Sequence, residues 1–287
     1  MIQQLHPDMY VETGYERVNV GGIRTDDGLI LIDTPICFRD ARVWRARLAQ
    51  LTGQEVRYVI NTSYHPSHML GNQFFSPAPV IAHQAAWDQI ESWTDSQLQR
   101  LLESLREDCP EAVGADVEPH IVRPRLTFTD RMVLYCGEKR LQLIHLGGHS
   151  PTAIGVYLPD IEIFFSGDVV VNGQHPSMEE AHTAQWLRDL TEIRRLRIKA
   201  IVPSHGPPCT KEDTQQLSAY IRLLRRRVRS HMRARRKRKE VVDSIDIQEL
   251  VGFPPFQAAA QPGVEKRIRA SLRQVYDELR AEENREG

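Results

Sequence analysis

Leu29-Ile30-Leu31-Ile32 has no polar residue on either side of its zigzag. A strand of that kind is buried on both faces, so the fold must place a layer above it and another below. The turn signal Asp26-Asp27-Gly28 leads into it. Residues 40–51 follow with Val43, Trp44, Leu48 and Leu51 at helical spacing and Gly53 just past the end. Residues 56–60 and 79–82 read as the next strands, and 9–13 and 17–20 as short earlier ones. The polar stretch 61–71 therefore sits at the carboxyl end of a buried strand, where layered α/β proteins usually hold ligands.

The plan then recurs. Helical patterns at 85–90 and 95–107 form an insert over 84–115. Strands are expected at 125–128, 132–136, 141–146, 153–158 and 161–165, a helix at 184–196 and a strand at 200–202. Two similar halves packed sheet on sheet, with helices outside, satisfy this order. From 211 to 239 the chain is helical, a break follows at 252–256, and an amphipathic helix spans 264–279. We expect one domain over 1–210 with a helical extension, 211–287, packed on it.

Composition removes several classes. With 41% apolar and 26% charged residues over 287 positions, the chain is an ordinary globular mixture, neither disordered nor fibrous. Its apolar runs are too short to span a bilayer, so no membrane partner is expected. The first residues lack a basic region followed by an apolar stretch, and Cys37, Cys109, Cys136 and Cys209 form no CxxC pair. Reduced thiols and a cytoplasmic location follow as expectations.

The histidines are unequal. Most have no partner pattern, but four segments put a ligand-type residue on a small-residue turn directly after an expected strand. Asn61-Thr62-Ser63-Tyr64-His65-Pro66-Ser67-His68 carries two imidazoles three residues apart. Leu146-Gly147-Gly148-His149 exposes a third at a glycine turn. Ser166-Gly167-Asp168 and Ser204-His205-Gly206 each offer one more. Imidazoles and a carboxylate at strand ends suit a zinc, iron or manganese site, and the absence of cysteine argues against a closed structural zinc.

In this order and strand context the segments resemble the metallo-β-lactamase fold superfamily, whose first motif is HxHxDH after a strand, followed by a His, a bridging Asp and a last His. The segment 19–33, ending in Asp33, is similar to the family's N-terminal hairpin. The resemblance covers about 9 to 208 and implies an α/β fold, the αββα sandwich, with the site at one edge between two sheets. It departs at the motif itself, where Ser63 and Ser67 replace the first histidine and the aspartate. Carried over by position, the resemblance implies one metal at His65, His149 and Asp168 and another at His68, His205 and Asp168, each one protein ligand short. A serine hydroxyl is a poor zinc ligand, so one zinc rather than two is expected, with iron or manganese as alternatives. His175, on the loop after Asp168, is a candidate to bind substrate or replace a lost ligand, with Tyr64 and His182 weaker candidates of the same kind. Ser67 could position a water.

The activity the resemblance implies is hydrolysis of an ester, thioester, lactone or amide-type small molecule through a metal-activated water. A non-catalytic binding module on the same fold and an iron-dependent oxygen-using enzyme are the alternatives. The stretch 222–239 holds eleven of the 37 Lys and Arg and no acid, with Ile221, Leu224, Val228 and Met232 forming one helical stripe. Such a helix suits nucleic acid, but no aromatic interleaving accompanies it. Pairing with acids of the same chain, or of a second copy in a homo-oligomer, is the favoured expectation.

Overall fold

The computed structural model describes residues 2–15, 17–108, 119–232, 236–254, 256 and 263–286. The end of the expected insert, 109–115 with Cys109, lies outside these residues, as do Arg233 and Arg235 of the basic stretch.

Seven strands form the first sheet, in chain order: β1 (Ile2–His6), β2 (Met9–Glu12), β3 (Val20–Thr25), β4 (Gly28–Ile32), β5 (Val56–Ile60), β6 (Val80–His83) and β7 (Leu126–Phe128). β1 to β4 pair antiparallel and β4 to β7 parallel. The second sheet runs β12-β11-β10-β9-β8, made of β8 (Arg131–Cys136), β9 (Lys139–His145), β10 (Ile154–Leu158), β11 (Ile163–Gly167) and β12 (Ala200–Pro203). Only β11 and β12 are parallel in it. The helices are α1 (Phe38–Thr52), α2 (Pro66–Met69), α3 (Gln84–Glu91), α4 (Asp95–Asp108), α5 (Thr183–Arg195), α6 (Lys211–Met232), α7 (Arg238–Ser244), α8 (Ile247–Val251) and α9 (Val264–Glu286).

The two-residue alternation of β4 explains the layering. Ile30 and Ile32 face the second sheet, in one core with Ile60, Leu143, Val156 and Phe165. Leu29 and Leu31 face outward, against Trp44 and Leu48 of α1. On the far side Ile144, Phe164 and Ile201 pack against Trp186 and Leu190 of α5 and Leu217 of α6, and this core continues into α9. The extension thus shares its core with the second sheet rather than forming a separate one. None of the described helices is long and apolar enough to cross a membrane.

One expected strand is displaced. Residues 17–19 are irregular, and β3 begins at Val20 and runs through Gly21-Gly22. The glycines mask a strand in sequence, but a Cβ at Gly21 would lie 2.5 Å from the Phe165 ring. The two sheets approach too closely there for a side chain. β1 is unforeseen, its half-buried Ile2-Gln3-Gln4-Leu5-His6 carrying no apolar face that a sequence reading would select.

Four arginines of the basic stretch pair with acids of the same chain. Arg225 bonds Glu278 and Glu282 at 2.8 Å, Arg229 bonds Glu282 at 3.2 Å and Arg238 bonds Asp277 at 2.6 Å, while Arg227 pairs with Glu249. All of these acids belong to the extension itself. Arg222 and Arg226 line a surface groove beside them.

Candidate metal centre

The loop after β5 is shaped by its own sequence. His65 is the N-cap of α2, and Pro66 fills the first helical position, where its fixed φ fits and its missing N–H costs nothing. The short helix turns His68 inward, its N–H donating to the His65 carbonyl at 2.9 Å. The His68 carbonyl in turn accepts from Thr34 N (2.9 Å) and Asn61 Nδ2 (2.8 Å), and the His68 side chain is fully buried.

Asp33, directly after β4, adopts φ 55°, a left-handed conformation that aspartate tolerates better than most residues. Its Oδ1 accepts the Thr62 backbone N–H at 2.7 Å and its Oδ2 the Thr62 hydroxyl at 2.6 Å. The same Oδ2 lies 2.9 Å from His68 Nδ1. An ionised carboxylate only accepts, so Nδ1 donates to Asp33; Nε2, 3.0 Å from Asp168 Oδ2, donates there too while the ring is charged, and is the nitrogen left bare for a metal once the ring gives up one proton.

Asp168, following β11, is the hub. His65 Nδ1 stands 3.5 Å from its Oδ2, and His205 Nε2, after β12, stands 3.3 Å from its Oδ1. The two spacings that share Oδ2, 3.0 and 3.5 Å, bracket the edge, about 3.3 Å, of a tetrahedron whose ligands lie about 2.0–2.1 Å from a central ion. The ligand atoms of His65, His68 and Asp168 all fall within 4.8 Å of one another. That grouping cuts across the two sets implied by position, because His65 and His68 both approach the same carboxylate oxygen.

His149 completes the ring of imidazoles, edge-on to His65 with centroids 6.0 Å apart. Its loop packs so tightly that a Cβ on Gly148 would sit 2.2 Å from the Trp186 backbone, and Gly148 N donates to Asp189 Oδ2 at 2.8 Å. Bonds between the sheets fix these loops together: Ile154 N to Thr62 O at 2.9 Å and Asn19 N to Ser204 O at 2.7 Å.

Charge and solvation fit a cation. Burial pushes His149 down to about 4, so its ring is neutral at pH 7 with a lone pair to give. Burial also opposes the charged forms of His65 and His68, but Asp168 with Glu180, and Asp168 with Asp33, outweigh it. His65 is raised to about 9 and His68 well above the ordinary range. Burial likewise disfavours ionised Asp168, yet the surrounding His68, His205 and His65 hold it well below the usual carboxylate range. The buried His149 Nδ1 has no hydrogen-bond partner, and the buried Asp168 Oδ1 has only the ion-pair contact with His205 Nε2 at 3.3 Å. A buried polar atom left unpaired costs about 1–3 kcal/mol, which a cation held beside these atoms would offset. The all-nitrogen-and-oxygen donor set suits zinc, iron or manganese.

His65, His149, Asp168 and His205 open on a cavity of about 840 Å³ that Ser67, Arg17 and Arg267 also line, with His68 buried behind them. Ser63 is buried, its Oγ 3.1 Å from His65 Nδ1. The Tyr64 hydroxyl donates to Glu180 Oε1 at 2.5 Å. His175 lines the cavity with both ring nitrogens engaged: Nε2–H donates to the Val251 carbonyl (3.2 Å) and Nδ1 accepts from the Tyr220 hydroxyl (3.1 Å). No ring lone pair is left for a metal. His182 caps α5, its ring accepting from Gln185 N.

Sequence reasoning did not select Glu180, Asp189, Arg17 or Arg267. Asp189 alone had a local signal, an acid on the apolar stripe of Trp186, Leu190 and Ile193. Glu180 reaches the site only through space, from the loop before α5.

Comparisons with known proteins place the fold. Human acyl-coenzyme A thioesterase MBLAC2 is 25% identical over 181 residues, 58% of this chain and 62% of the relative, and its bovine counterpart matches equally. The chain thus spans under two thirds of the length of these relatives. Among solved structures, a metallo-β-lactamase family protein of Thermus thermophilus superposes with TM-score 0.66 at 20% identity, covering 98% of this chain and 95% of that one. The sec-alkylsulfatase Pisa1 of Pseudomonas sp. gives 0.75 at 15% identity, over 96% of this chain and 49% of that one. A family model described as metallo-beta-lactamase superfamily matches residues 13–205, a span that holds β3 to β12 and every residue of the cluster around Asp168. By that match and by its fold, the chain belongs to the metallo-β-lactamase superfamily.

Proposed function

We propose that the chain is a metal-dependent hydrolase cleaving an ester or thioester of a small anionic molecule, with lactones and amides as neighbouring chemistries. The observation that carries this reading is the Asp168 carboxylate with three imidazoles, His65, His68 and His205, within 3.5 Å of its oxygens at the wall of the cavity. His65, His68 and Asp168 would hold the ion, with His149 and His205 at its border. When bound, the metal lowers the pKa of water to roughly 7 and polarises a carbonyl.

The chain's own residues do the rest. Asp33 keeps the ligating nitrogen of His68 free of its proton. Ser67 lines the cavity and can orient a water by hydrogen bonding, but at its ordinary pKa it does not abstract a proton. Arg17 and Arg267 are among the residues that line the same cavity, Arg267 also donating to the His175 carbonyl at 3.2 Å, and their positive charge favours a substrate carrying phosphate or carboxylate. The thioesterase names of the human and bovine relatives support starting from coenzyme A thioesters, whose phosphates suit such arginines.

The test offers acyl-coenzyme A thioesters, neutral aryl esters and lactones to the chain loaded in turn with zinc, iron and manganese. Turnover abolished by His68→Ala, with Arg267→Ala raising KM for the thioester but not for the neutral ester, is the expected result. A chain that holds metal stoichiometrically and turns over none of them would be a binding module instead.

A further inference from the structure

We infer that Glu180 is a positioning residue for the metal centre: its carboxylate faces the Nε2–H of His65 and keeps the proton there, and so turns Nδ1 toward Asp168, as Asp33 does from the other side for His68. This rests on the metal-centre reading above and adds a residue that the HxHxDH pattern does not contain.

The geometry is reciprocal. His68 lies between Asp168 Oδ2 at 3.0 Å on Nε2 and Asp33 Oδ2 at 2.9 Å on Nδ1. His65 lies between the same Asp168 Oδ2 at 3.5 Å on Nδ1 and Glu180 Oε2 at 3.5 Å on Nε2. The two nitrogens of one imidazole point to different sides of the ring, so an ion bound at Nδ1 cannot also be reached by a carboxylate that sits on Nε2. Glu180 is accordingly outside the group of converging ligand atoms, which contains His65, His68 and Asp168. Its role is that of an acceptor behind the ligand, the arrangement that fixes tautomer and ring orientation in metal sites. The Ser63 hydroxyl, 3.1 Å from Nδ1, does not compete with this. It rotates to donate or accept, and so fixes neither tautomer by itself.

A carboxylate whose side chain is 40% exposed would ordinarily be free to swing into water. This one is held. Its other oxygen accepts the Tyr64 hydroxyl at 2.5 Å, the Tyr64 ring lies 4.7 Å from the His65 ring, and Trp93, between α3 and α4, packs on Tyr64 with centroids 6.1 Å apart. The insert therefore reaches the metal centre through Trp93, Tyr64 and Glu180 in turn. In this chain a carboxylate from another loop supports the motif whose own acid is replaced by Ser67.

The test titrates zinc into the metal-free full chain against a competing chelator, comparing wild type with Glu180→Ala, Glu180→Gln and Tyr64→Phe. Glu180→Ala should bind zinc about 10–100-fold more weakly with the number of ions per chain unchanged. Glu180→Gln should recover part of the loss, because an amide oxygen also accepts from Nε2–H, and Tyr64→Phe should show a smaller loss. Nitrogen NMR of the zinc-loaded wild type should find His65 protonated at Nε2. Wild-type affinity in Glu180→Ala refutes the role, and so does loss of one ion per chain, which would make Glu180 a ligand. If Glu180→Ala does not fold, Tyr64→Phe and the His65 tautomer decide. A wild type that binds no zinc, iron or manganese refutes the metal-centre reading itself, an outcome distinct from wild-type binding that the variants leave unchanged.

Discussion

Replacing Asp33 with Asn changes one oxygen to an amide nitrogen and keeps the shape and the tolerance for φ 55°. The amide oxygen can still accept the Thr62 backbone N–H. The Oδ2 position cannot be conserved, because an NH₂ group there faces His68 Nδ1, which had donated to Oδ2 at 2.9 Å. The charge-assisted hydrogen bond from His68 is lost, worth about 1.5–3 kcal/mol, while the Thr62 hydroxyl, which also donated to Oδ2, can turn to accept from the amide. Removing one partner of a buried ion pair costs about 3–5 kcal/mol, but Asp168 remains as a second counter-charge on His68. A loss of about 2–3 kcal/mol is therefore expected for the metal-free protein. With a urea dependence near the upper end of the common range, about 3 kcal/mol per molar, the unfolding midpoint should fall by about 0.7–1 M at pH 6, where His68 is charged. Neutral His68 would then carry its proton on Nε2, the atom facing Asp168, so zinc binding should weaken about 10–100-fold. A midpoint within about 0.2 M of wild type, together with unchanged zinc affinity, would refute the assignment of Asp33 as the group that sets His68.

Other perturbations address other parts of the account. In the metal-free protein the folded pKa of His65, about 9, lies above its unfolded value near 6.5. Its stabilising contribution is therefore full below pH 6.5 and lost as pH rises toward 9. Urea midpoints should fall over that window, while zinc affinity should rise and zinc binding at pH 7 should release protons into a weakly buffered solution. The double change Ser63→His with Ser67→Asp should raise metal content above that of wild type, since it restores a ligand for each of two sites, and an unchanged content would show that the positional match to HxHxDH is wrong. Arg225→Ala leaves Glu278 and Glu282 short of a partner whose own side chain is 12% exposed. It should lower stability by about 3 kcal/mol, and a variant as stable as wild type would return the basic helix to the nucleic-acid reading.

Sequence made the layered fold legible wherever burial on two faces left a mark. β4 is a continuous apolar run, α1 repeats Trp44 and Leu48 at helical spacing, and the four ligand-bearing turns follow strands whose ends are unambiguous. The displaced β3 was hidden because Gly21 is required by the approach of Phe165, a contact 144 residues away in the chain that no local pattern records. The candidate ligands converge, yet their grouping depends on which carboxylate oxygen each imidazole meets, and spacing along a chain does not encode that. His175 is instructive in the other direction. Its position after Asp168 suggests a ligand, but Tyr220 and Val251, from helices folded back much later in the chain, take both ring nitrogens. Glu180 has no periodicity, turn or motif to mark it, and its meaning comes entirely from Tyr64 and His65 across the loop.

The central claim is that Asp168 and its imidazoles form a working metal site despite Ser63 and Ser67. Elemental analysis of the purified full chain, with His68→Ala and Asp168→Asn beside it, tests that directly. The account predicts about one zinc, iron or manganese per wild-type chain and almost none in either variant. Wild-type protein that remains metal-free after all three ions have been offered would contradict it.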